Sequence, residues 1–233
     1  MRVGVGLGGL CDFDWTPGQL SDWYHVVRKE ADDYADELHV NRPNAVTTVK
    51  PSGTISLLNE SSPGIHAPHS PYYIRRTRIA KNDPMAGAMI AAGVPHEQDV
   101  YDKSGHTWVF SFPTKAPHAK SSKTTQTLRE QFQRQADVQE YWADNAVSAT
   151  LNFNPERDRA ELAECLKEFV PRLKSTSCLA DAHGYAQAPY EEISESEYKA
   201  MASLINHDSK LVNAGDVDSL QLDECSGGVC PVR

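Results

Sequence analysis

Apolar residues first recur at helical spacing early in the chain. Leu20, Trp23, Val27, Ala31, Tyr34 and Leu38 form one stripe with charges between them. Thr16 followed by Pro17 predicts the helix start, and Asn41-Arg42-Pro43 its end. The pattern then changes to a β-branched run at 46–50, which predicts a strand. Pro51-Ser52-Gly53-Thr54 predicts a turn, and Ile55-Ser56-Leu57-Leu58 a second helix start. Residues 72–79 read as extended. Asp83-Pro84 opens a short helix with Met85, Ala88, Met89 and Ala92 on one side, and Gly93 ends it. Trp108, Phe110 and Phe112 alternate as in a half-buried strand, and 115–125 is a polar loop. A Gln-rich helix follows, to about Trp142. Its stripe of Leu128, Phe132 and Ala136 is thin, which predicts a place near the surface. Residues 147–153 read as a second buried strand. Asn154-Pro155 is expected to cap a helix faced by Leu162, Cys165, Leu166 and Phe169. Ser194 and Glu197 have capping-box spacing and open a last helix carrying Tyr198, Met201, Leu204 and Ile205.

Two strand–loop–helix units with extra hairpin-like strands give an α/β class. From residue 208 the apolar periodicity stops, and 208–223 is polar and acidic. The expected division is therefore a folded part at 1–207 and a flexible tail at 208–233. No apolar run approaches a membrane span, and no charged-then-apolar leader opens the chain. A cytoplasmic protein without membrane contact is expected. The net charge of −9 argues against binding a nucleic-acid polymer but leaves room for a small basic pocket. Five cysteines, three of them scattered, do not make a secreted disulfide framework.

Candidate chemistry concentrates in two places. The first is the turn after the 46–50 run. A small-residue turn between strand and helix aims consecutive backbone N–H groups outward, and hydroxyls add donors. Ser52, Gly53, Thr54 and Ile55 are therefore candidate contacts for a phosphate. The plain alternative is a capped turn with no ligand. The second is the tail, where Cys225 and Cys230 flank Ser-Gly-Gly-Val. An exposed thiol pair on a mobile end can relay electrons by thiol–disulfide exchange. The alternative, half of a zinc site, needs two further ligands, and none are near in sequence. Other features point to structure. The glycines at residues 4–9 lack the preceding strand and the spacing of a dinucleotide fingerprint. Arg75, Arg76 and Arg78 can bind phosphate, but a salt-bridged surface is the expectation. His66 and His69 have no ligand partners at metal spacing, so no metal is expected. Cys165 sits on an apolar helix face and should be inert.

The block 46–58, with Ser62-Pro63-Gly64-Ile65-His66 and Tyr72-Tyr73-Ile74-Arg75-Arg76, resembles the substrate-phosphate loop of ribonucleotide reductases. It looks most like the monomeric adenosylcobalamin-dependent (class II) ribonucleoside-triphosphate reductases. The segments 2–10, 142–150 and 173–177 and the cysteine tail occur in that family's order. The resemblance implies the C-terminal portion of a ten-stranded α/β barrel, with 46–50 and 147–153 as its last two strands. It implies that Ser52, Gly53 and Thr54 hold a ribonucleoside triphosphate. It also implies that Cys225 and Cys230 reduce the active-site disulfide and are reduced in turn by thioredoxin. The family's Asn-x-Cys-x-Glu loop, whose cysteine becomes the thiyl radical, is absent, and Cys11 does not replace it. The expectation is one half of a split reductase, inactive without an N-terminal polypeptide that carries the radical cysteine and most of the adenosylcobalamin site. The alternative is a non-catalytic nucleotide-binding or regulatory relic.

Overall fold

The computed structural model describes residues 3–116, 118, 120–181 and 185–206. In chain order the elements are β1 (Val5–Gly6), α1 (Pro17–Glu37), β2 (Thr47–Thr48), α2 (Ile55–Leu58), β3 (Tyr72–Ala80), α3 (Pro84–Ala91) and β4 (His96–Gln98). There follow β5 (Thr107–Lys115), α4 (Leu128–Tyr141), β6 (Thr150–Phe153), α5 (Arg159–Phe169), β7 (Ser177–Ala180), β8 (Tyr190–Glu192) and α6 (Glu195–Ala202). The class is mixed α/β. The tail at 208–233, with Cys225 and Cys230, lies outside the described residues.

Two sheets result. β1 runs parallel to β2, Val49 bridges in parallel to Val147, and β6 runs parallel to β7. Strands joined in this way need helical crossovers. Here α1 connects β1 to β2 and α5 connects β6 to β7. The main core lies between these strands and their helices and includes Leu20, Val49, Phe132, Trp142, Val147, Leu151, Cys165 and Phe169. The four-stranded sheet is antiparallel, in the order β4-β5-β3-β8. β3 and β5 pair along their whole length, from Tyr72 opposite Lys115 to Ala80 opposite Thr107. Phe110 is fully buried there with Ala86, Ala92 and Val94, and Trp108 and Phe112 pack beside it.

Local signals account for most boundaries. Thr16 and Gln19 close a capping box at α1, as do Thr127 and Glu130 at α4 and Ser194 and Glu197 at α6. The Asp83 carboxylate accepts from Met85 N at 2.8 Å and starts α3. Gly93, at φ +79, ends that helix, and a Cβ there would lie 2.4 Å from Leu204 O.

Three expectations need correction. The stripe on α1 is covered only in its first half: Trp23 and Val27 pack on the main core, whereas Tyr34 and Leu38 are 52% and 46% exposed. Asn154 does not cap α5. Its Oδ1 accepts from Glu156 N and Arg157 N in a separate turn, and the helix begins at Arg159. The largest difference is α4, which is buried rather than superficial. Gln131, Gln135 and Gln139 stand four residues apart, on the face that points inward. Gln131 exchanges two hydrogen bonds with Asn152, at 2.9 and 3.0 Å. Gln135 Nε2 donates to Ser175 O at 2.7 Å, and Gln135 Oε1 accepts from Thr176. Gln139 donates to Ala143 O and Asn145 O and accepts from Val147 N. The amides pair with β6, with the segments before β6 and β7 and with the Thr176 hydroxyl, so burial costs little.

Candidate functional site

The turn after β2 has the predicted order of strand, small residues and helix start, but the helix is a single four-residue turn, α2. Ser52 takes a left-handed φ of +52, which turns the chain away from the sheet. Its carbonyl accepts from Ser56 N at 3.1 Å, and Thr54 O accepts from Leu57 N at 3.2 Å. Thr54 makes no side-chain cap. Among the described residues, the N–H groups of Gly53, Thr54 and Ile55 have no hydrogen-bond partner. That is a short run of unpaired backbone donors.

The turn borders a cleft of about 700 Å³. Gly53, Ser56 and Leu57 form part of one wall, with Asp12 and residues 60–63. The opposite wall comes from the antiparallel sheet and includes Tyr73, Lys115 and Tyr190. Asn152 and Leu179 reach it from β6 and β7. Hence Gly53 lines the cleft, whereas Ser52, Thr54 and Ile55 do not; Ile55 is 55% exposed elsewhere on the surface. Sequence reasoning missed Ser56 and Leu57. It also missed the aromatic wall, where His69 stacks on Tyr190 at 5.9 Å and Tyr73 lies 5.8 Å from the same ring. No sequence pattern brings residues 73 and 190 together; the β3–β8 pairing does.

The return stem of the turn is firmly held. The Asp12 carboxylate accepts from Ser62 N at 2.7 Å and from the Ser62 hydroxyl. Gly9 N donates to Ser62 O at 2.9 Å, and Leu10 N to Gly64 O at 3.2 Å. Gly64 has φ +58, and a Cβ there would lie 2.5 Å from Lys50 O. Only glycine allows the outgoing and returning stems to approach this closely.

No family profile matches the chain. Individual proteins do. An adenosylcobalamin-dependent ribonucleoside-triphosphate reductase of Levilactobacillus brevis is 36% identical over 228 residues, taking in 90% of this chain and 29% of that protein. The Lactobacillus acidophilus reductase of the same name is 38% identical over 221 residues, with the same two coverages. A probable reductase of this type from Dictyostelium discoideum is 31% identical over 242 residues, covering 99% of this chain and 32% of that protein. Among solved structures, the crystal structure of a B12-dependent (class II) ribonucleotide reductase superposes with a TM-score of 0.74 at 33% identity. That match covers 92% of this chain and 29% of the reductase. The chain belongs to the class II ribonucleotide reductase family. It spans 29% to 32% of the length of these curated relatives.

Arg76 pairs with Glu191, Arg78 with Asp99 at 2.9 Å, and Arg75 donates to the Tyr190 hydroxyl. The arginine cluster thus ties β3 to its neighbours. Cys11 and Cys165 are buried, and burial pushes both thiols up, away from the reactive thiolate. Cys11 Sγ contacts Ile65 O at 3.3 Å. Among the described residues no group of three or more His, Cys, Asp or Glu is placed to hold a metal ion. No described helix is long and apolar enough to cross a membrane.

Proposed function

We propose that this chain holds the substrate's phosphates, and returns electrons to the active site, in an adenosylcobalamin-dependent reduction of ribonucleoside triphosphates to 2′-deoxyribonucleotides. The observation that carries the reading is the run of free N–H groups at Gly53, Thr54 and Ile55. It stands beside a cleft, on sequence homologous to class II reductases. Successive N–H groups form a cradle for phosphate oxygens, and Gly53 lets a phosphate approach the backbone. Fixing the polyphosphate there orients the ribose toward the reacting centre. The barrel assignment belongs to the same reading: 46–50 and 147–153 would be neighbouring strands of a ten-stranded barrel, consistent with the Val49–Val147 bridge.

The chain has no Asn-x-Cys-x-Glu segment. In this reading the radical cysteine comes from an N-terminal reductase polypeptide outside these residues. Adenosylcobalamin, when bound, supplies the radical. The cleft is of the size that takes a drug-sized ligand. Adenosylcobalamin is far larger, so the described residues would enclose only part of it, and none is assigned to it. Cys225 and Cys230 would pass two electrons and two protons to the active-site disulfide and become a disulfide themselves. Thioredoxin would then reduce that disulfide.

The test is a reductase assay on this chain with and without the rest of a reductase, supplied as a separate polypeptide. The mixture contains adenosylcobalamin, a ribonucleoside triphosphate and dithiothreitol. Activity in the mixture alone supports the proposal. The same run of N–H groups would also serve a second reading, a regulatory nucleotide-binding protein without catalysis. An inactive mixture in which the folded chain still binds nucleotide would favour that second reading.

A further inference from the structure

We propose that His66 is the positioning residue of the phosphate-binding turn, clasping its return stem to strand β6 in place of a missing strand partner. The inference rests on the reading of 52–55 as a phosphate site and adds to it a device that holds the site's shape.

Geometry defines the clasp. The last backbone bond between the β2 and β6 segments runs from Ser148 N to Val49 O, at 3.0 Å. A continued parallel ladder would next engage Thr150 N with the residue two beyond Val49. The chain has left the sheet at Pro51 to form the turn, so that partner is lost. His66 Nε2 takes its place and accepts from Thr150 N at 2.9 Å. On the other side of the ring, Nδ1 stands 3.1 Å from Pro63 O. An amide N–H can only donate and a carbonyl can only accept, so the ring is neutral with its proton on Nδ1. One side chain thereby joins the stem of the turn to the first residue of β6.

The surroundings suit this role. His66 is largely buried, and burial, with Arg134 nearby, holds its pKa below the usual histidine value. Arg134 of α4 is the charged group that faces the ring. It donates to Ile65 O at 3.1 Å and to Gln126 Oε1 at 3.0 Å. β6 presents the Thr150 amide to the ring, and the stem presents the Pro63 carbonyl. A small void beside the ring, lined by residues that include Gln131, Arg134 and Asn152, measures about 10 Å³ and has room for one water at most. The ring cannot swing aside without breaking both bonds.

Protonation would put a donor on Nε2, facing the Thr150 N–H. The folded state keeps His66 neutral more strongly than the unfolded chain does. The clasp is therefore complete above the ordinary histidine pKa and is lost as pH falls toward the lowered one.

The experiment uses the chain itself, with inorganic tripolyphosphate as the probe. Affinity is measured from pH 8 to pH 5 on wild type, His66→Phe and His66→Gln, alongside amide exchange at Thr150. Wild type should bind and should weaken as the pH falls. His66→Phe should bind about tenfold more weakly and exchange faster at Thr150, while amides of α4 and α5 keep their protection. His66→Gln, which can both donate and accept, should recover much of the affinity and keep only the shallower pH dependence set by protonation of the tripolyphosphate itself. A folded His66→Phe that binds as wild type does would overturn the clasp and leave the phosphate site standing. A wild type that binds no tripolyphosphate at any pH would overturn both. Loss of α4 and α5 protection in His66→Phe would send the decision to His66→Gln, whose pH profile, if identical to wild type, overturns the clasp.

Discussion

Gly53 and Gly64 stand on the outgoing and returning arms of one turn, yet a methyl group would meet different surroundings at each. At Gly53, which lines the cleft, an added Cβ meets nothing within 4 Å. Gly53→Ala is expected to change the unfolding free energy by no more than about 0.5 kcal/mol. It should weaken tripolyphosphate binding about tenfold, read by calorimetric titration. At Gly64 the Cβ would lie 2.5 Å from a carbonyl, at φ +58. Gly64→Ala should cost about 2 kcal/mol or more in urea denaturation, whatever it does to binding. The turn itself was legible, because Pro-Ser-Gly-Thr after a β-branched run is local chemistry. Which of its residues face the cleft was not legible. That depends on the left-handed Ser52, which sends Gly53, Ser56 and Leu57 to the cleft and leaves Ile55 exposed elsewhere.

At the scale of elements, capping boxes and glycine stops sit in the sequence because they act over three or four residues. Helix α4 shows where that reach ends. Its thin apolar stripe suggested a surface helix, but three glutamines four residues apart carry it inside by pairing with polar groups of distant segments. The repeat was visible, but its partners were not, since they lie on β6 and on the segments before β6 and β7. Gln139→Leu would leave the buried Val147 N–H without its acceptor. It is expected to lower stability by about 2–3 kcal/mol in urea melts. Gln133→Leu, on the exposed face of the same helix, should stay within about 0.5 kcal/mol of wild type.

At the scale of the whole molecule, the parallel strands end in open edges among the described residues. β1 carries an exposed Val5, and β7 an exposed Leu179. The second half of the α1 stripe is uncovered as well, at Tyr34 and Leu38. If the rest of a reductase completes this sheet, adding it should slow amide exchange in β1 and in the second half of α1. Exchange in β3 and β5, already paired to each other, should stay unchanged. A second prediction concerns the tail: replacing Cys225 and Cys230 together by serine should abolish multiple turnover with thioredoxin as sole reductant and spare a single turnover. What the sequence alone determined is whatever depends on neighbours along the chain: helix starts, the turn, the α/β class and the resemblance to a reductase. Tertiary structure decided what depends on distant segments meeting: the buried glutamines, the His66–Thr150 bond and the cleft between turn and antiparallel sheet. The physical reason is range. Backbone sterics and caps act within a turn of chain, whereas a buried polar group is tolerated only beside a partner that folding brings to it.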